Sequence, residues 1–118
     1  MAGNPVLDRA KAHFRGVLNE PLGRVIVPEW GEDDRPLEIH VWQSNMRQRG
    51  KVKDAIHKGG EWPTMAVCQY AKDADGKRLF ADAEYDMLAL GTDPLVIERV
   101  AGEILDMQKT DSEQTAGN

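Results

Sequence analysis

The side chains best suited to acid–base, nucleophilic or metal chemistry at neutral pH are the three histidines, His13, His40 and His57, and the single cysteine, Cys68. No histidine stands at a ligand spacing from another or from Cys68, so the pattern builds no zinc site. Ser44 and Ser112 lack the flanking glycines of a nucleophile elbow. Gly59-Gly60 is not followed by the Lys-Ser/Thr pair that completes a phosphate loop. Asp73-x-Asp75-Gly76 resembles part of a calcium loop. Aligning Gly76 with the loop glycine puts Ala71 at the first ligand position and Asp82 where a bidentate glutamate belongs. That leaves a solvated turn. The expectation is a protein with no catalytic residues, no cofactor, no metal and no small-molecule substrate.

What remains suits protein contacts. Arg47, Arg49, Lys51, Lys53 and Lys58 form a local positive run that only Asp54 opposes within residues 44–58. Such a run is a solvated helix face or a docking surface for an acidic partner, including a second copy. The acids Glu98, Glu103, Asp106, Asp111 and Glu113 could supply that partner surface. Of the three tryptophans, Trp30, Trp42 and Trp62, Trp62 is expected in the core. Trp42 should point away from Ile39 and Val41, as should His40. Trp42, His40, Arg47, Arg49, Lys51 and Lys53 are therefore the candidate partner-binding residues, with tryptophan favoured as an anchor.

Composition narrows the class. The chain has 118 residues, 41% of them hydrophobic and 30% charged, which fits one globular domain. One cysteine allows no intrachain disulfide and points to a reducing compartment. With 20 acids against 15 bases the net charge is −5, which disfavours general binding to nucleic acid. No apolar run reaches the roughly 20 residues of a membrane span. The first residues turn charged at Asp8 and Arg9, without a signal-peptide core. The protein is expected to stay in the cytoplasm where it is made.

The elements follow from periodicity. Asn4-Pro5 should cap a helix with an apolar face of Val6, Leu7, Ala10, Phe14, Val17 and Leu18. Residues 24–27 and 37–42 should pair as a hairpin across the polar turn 30–34, with Pro28 suiting an edge strand. Ser44 should cap a helix to about residue 58, ended by Gly59-Gly60. Helices over 63–71 and 82–90 follow, the second closed by Gly91, and Asp93-Pro94 should open the last. The expected fold is mainly α (α+β): one small helical domain, 1–107, with a short β-hairpin in its N-terminal half. Residues 108–118 are expected as a disordered tail.

The order of these pieces resembles the tail assembly chaperones of long-tailed bacteriophages. Val25-Ile26-Val27-Pro28-Glu29-Trp30-Gly31 is similar to that family's Val-Pro-Glu-Trp-Gly segment. Asp73-Ala74-Asp75-Gly76-Lys77-Arg78-Leu79-Phe80 is similar to its Asp-x-x-Gly-x-x-Leu-Phe turn. A lysine- and arginine-rich helix lies between them, and an acidic short helix with Leu88 and the segment 93–100 follow. The resemblance spans about residues 14–107. It implies a non-enzymatic protein of the host cell cytoplasm, absent from the mature virion. Such a protein binds the tape-measure protein, keeps it soluble and helps the tail-tube subunit polymerise around it. Self-association is a further expectation, because several copies along one partner gain from multivalency. Two other classes stay open. One is a structural virion component at the head–tail joint. The other is a helix–turn–helix regulator built from residues 44–71, against which stand the net charge and the long linker 59–63.

Overall fold

A computed structural model describes residues 3–116, with side chains through residue 108. Helix α1 (Pro5–Val17) opens as expected: the Asn4 side chain accepts the Leu7 amide at 3.0 Å, and Pro5 occupies the first turn, where no amide partner is needed. Its apolar stripe is present, yet no α1 residue is buried. Phe14 alone is half-buried, beside Ser44 and Met46, and Val6, Leu7, Ala10 and Val17 are exposed.

Strands β1 (Gly23–Glu32) and β2 (Arg35–Val41) pair antiparallel, with Val25 opposite Ile39 and Gly23 opposite Val41. Alternation buries Val25, Val27, Ile39 and Val41 on one face. The segment expected as a polar turn, 30–34, is mostly strand. The register shifts between Val27 and Glu32, and pairing resumes at Glu32 opposite Arg35. The true turn is Asp33-Asp34, where Asp33 has φ 47°, a conformation aspartate tolerates. A short third strand, β3 (Ala71–Lys72), pairs with β2, so the sheet order is β1-β2-β3 and β1 is an edge. The expected lone hairpin is thus a three-stranded sheet. Two residues are too short to show a period of two, which is why β3 was invisible in sequence.

Helix α2 (Met46–Lys58) is capped by Asn45 rather than by Ser44. Asn45 accepts the Gln48 amide at 2.9 Å, and Gln48 accepts the Asn45 amide at 3.1 Å, a reciprocal capping box. Gly59, at φ 69°, stops it in the left-handed region. Helix α3 (Trp62–Tyr70) is buried nearly all round, from Pro63 and Thr64 through Ala66 to Tyr70. It packs between α2 and the last helix, α5 (Pro94–Ala116), which also lies on β1. A 3₁₀ turn (Asp82–Glu84) leads into α4 (Tyr85–Gly91), where one continuous helix was expected. The core joins the sheet valines and Ile39 to Val67, Val100, Ala101 and Ile104.

The expected boundary between domain and tail falls inside α5. Gln108, assigned in sequence to the tail, is buried. Its amide nitrogen donates to the Trp42 carbonyl at 2.6 Å, and its oxygen accepts the Ser44 hydroxyl at 3.0 Å. A polar residue at the end of an apolar stripe reads as exposed until its buried partners are known. For the rest of the expected tail, the side chains from residue 109 and all of residues 117–118 lie outside the described residues.

Candidate functional site

The two segments that carry the family resemblance are far apart in sequence and meet in space. β1 brings Trp30 to one side, and the chain after β3 brings Leu79 and Phe80 to the other. The Trp30 and Phe80 rings meet edge to face, with centroids 6.2 Å apart. Together with Leu37, Leu88 and Thr92 they line a groove of about 360 Å³. Its only polar side chain, Thr92, donates its hydroxyl to the Leu88 carbonyl at 2.7 Å and is satisfied within the chain. The wall holds no acid, base, histidine or cysteine. The lining is otherwise apolar.

Neighbouring contacts fix the walls. Arg99 on α5 grips Glu29 through two hydrogen bonds, 2.7 and 2.8 Å, a bidentate clasp that ties β1 to α5. The Arg99 bond, the largest cause, and local backbone bonding hold the Glu29 carboxyl down at about 2. On the other side, Arg78 donates to the Cys68 carbonyl at 2.8 Å and to Asp82 at 2.9 Å. Asp82 also accepts from Gln69 at 2.9 Å and pairs with Lys51 at 3.5 Å. This hub joins α2, α3 and the 73–80 segment. Arg78 and then Gln69 hold Asp82 at about 2. Burial pushes the Cys68 thiol up, away from the thiolate form that reacts.

The calcium-like turn has an internal explanation. Asp73 accepts the Asp75 and Lys77 amides, each at 2.9 Å, and Gly76 takes φ 83°. The carboxylate is consumed by its own backbone, and those amides hold it below the usual carboxylate range. Among the described residues, no group of three or more His, Cys, Asp or Glu could hold a metal ion. Nor, among them, is any helix long and apolar enough to cross a membrane.

Of the residues nominated from sequence, His40 and Trp42 lie on and just after β2, Arg47, Arg49, Lys51 and Lys53 lie on α2, and Trp42 and Arg49 both bond Gln108. Trp42 is half-buried, donates to the Asp73 carbonyl at 3.4 Å and lies against Gly76, so it packs on the turn. His40 is half-buried on β2, opposite Lys72 of β3. Arg49 bonds Gln43 at 3.0 Å and the Gln108 carbonyl at 3.5 Å, and Lys51 pairs with Asp82. Arg47 and Lys53 are exposed on α2, with no ion pair among the described residues. The groove residues Trp30, Leu37, Leu79 and Phe80 were not nominated. Their signal lay in the motif segments themselves, which place aromatic and apolar side chains beside turns.

Searches against family models, curated proteins and solved structures return no match to the chain.

Proposed function

We propose that the protein is a non-enzymatic phage tail assembly chaperone, working in the host cell cytoplasm. It binds the tape-measure protein through the Trp30–Phe80 groove and assists tail-tube polymerisation. One observation carries the reading. The segments that resemble the family's motifs, around Trp30 and Phe80, converge on one apolar groove. A long helical partner exposes apolar faces until a tube encloses it, and a groove of this chemistry accepts side chains from such a face.

The helix–turn–helix alternative loses one argument and gains another. Its linker is three residues, 59–61, between α2 and α3, shorter than sequence suggested. Yet α3 is buried nearly all round and offers no face to a DNA groove.

The test is co-expression with the long helical protein encoded beside it. The partner should become soluble and co-purify, and Trp30→Ala should abolish this. A partner indifferent to co-expression overturns the reading. Mass spectrometry of purified particles that finds the chain at stoichiometric levels would favour a head–tail component instead.

A further inference from the structure

Two features outside that groove match each other. The first is α1. Val6 and Leu7 are 65% and 52% exposed, and Val17 is exposed on the same helix. Its flanks carry Arg9, Lys11 and Arg15, none in an ion pair among the described residues, against a single acid, Asp8. Of its apolar face only Phe14 is half-buried, beside Ser44 and Met46, and an amphipathic helix left this open is a ligand in form.

The second feature lies at the α4–α5 corner. A cleft of about 370 Å³ runs between the loop before α3 and this corner, lined by Pro63, Leu90, Pro94 and Ile97. Glu61 and Glu98 stand in its wall. Beside it Met87, Leu90 and Leu95 are exposed, Leu90 at 88%, with Asp86 on the same short helix. The cleft wall is mixed polar and apolar, the residues exposed beside it are apolar, and acids border both; α1 is apolar with a basic border. One copy does not join them, because Leu7 and Leu90 both stay exposed.

We propose that α1 of one copy seats in the acidic cleft of a second copy, so that the protein assembles head to tail. Leucine and valine side chains of α1 fill the cleft, and its arginines and lysine face Glu61, Glu98 and Asp86. The two surfaces differ, so the contact is heterologous, and each pair leaves a free cleft on one copy and a free helix on the other. The result is a ring or an open chain. The inference uses none of the residues of the Trp30–Phe80 groove.

The test is sedimentation velocity on the pure protein over a concentration series. The wild-type mass should rise with concentration and fall back with added salt, which screens the charged borders. Leu7→Glu removes the helix and Leu90→Glu removes the cleft. Both sites are exposed, so circular dichroism should show the wild-type fold. Each variant alone should stay monomeric, and an equal mixture should form a dimer and stop there. A wild-type protein monomeric at every concentration overturns the proposal. So does self-association of Leu90→Glu alone, which would mean α1 pairs with α1. Binding of monomeric protein to anionic vesicles through Leu7, without self-association, would assign α1 to a lipid surface and also overturn it. None of these outcomes bears on the co-expression test, which depends on Trp30.

Discussion

Trp30 and Phe80 form an edge-to-face pair, with centroids 6.2 Å apart and planes at 81°. The pair joins the edge strand to the segment that leaves the sheet, so it closes the groove and braces the fold together. A double-mutant cycle with Trp30→Ala and Phe80→Ala should give a coupling of about 1 kcal/mol in urea denaturation. A cycle that sums to zero would mean the two rings act independently.

Gln108 satisfies Ser44 and Trp42 at a buried site. Gln108→Leu keeps the volume, strands the Trp42 carbonyl and leaves the Ser44 hydroxyl with Tyr70 alone. Stability should fall by about 1–3 kcal/mol, read as a lower urea midpoint with an unchanged slope.

Two glycines should resist alanine for different reasons. At Gly31 a methyl group would collide with the Arg35 carbonyl oxygen and stand 2.7 Å from the Pro36 Cα, both backbone atoms that cannot swing away. Gly31→Ala should cost more than about 2 kcal/mol and displace the hairpin end. At Gly76 there is room, but φ is 83°. Gly76→Ala should cost about 1–2 kcal/mol through backbone strain alone. Thermal midpoints of both variants separate the two sizes of effect.

Acid should loosen the Glu29–Arg99 clasp. Glu29 is lowered from 4.5 to about 2, and Asp82 from 3.8 to about 2. Each carboxyl binds its proton more weakly folded than unfolded. Their contribution is therefore full above the unfolded values and is lost as pH falls from there through about 2. The urea midpoint should drop across that window, and Glu29→Gln should shrink the drop. A wild-type midpoint flat down to about pH 2.5 would contradict the clasp.

The helix starts at Asn4-Pro5 and Asp93-Pro94 were legible in sequence, because capping and proline chemistry are local. So was the alternation that buries Ile39 and Val41. Three things were hidden because they depend on partners distant in sequence. Ser44 looks like a cap, but Gln108 draws it inward and Asn45 takes the role. β3 exists only because β2 offers it an edge. The groove pairs Trp30 with Phe80, which no window of sequence contains together. Trp42 was nominated as an anchor from its residue type and strand parity; parity does not show that the 73–77 turn packs against it, leaving it half-buried.

The outer edge of β1 carries one more consequence. Pro28 has no amide to offer there, and the register shift between Val27 and Glu32 interrupts the ladder. Cross-β stacking propagates along unbroken rows of free donors and acceptors, and Pro28 breaks the row on this edge. A strand added here would meet a gap at Pro28, which shortens the run of backbone that a second chain could pair with.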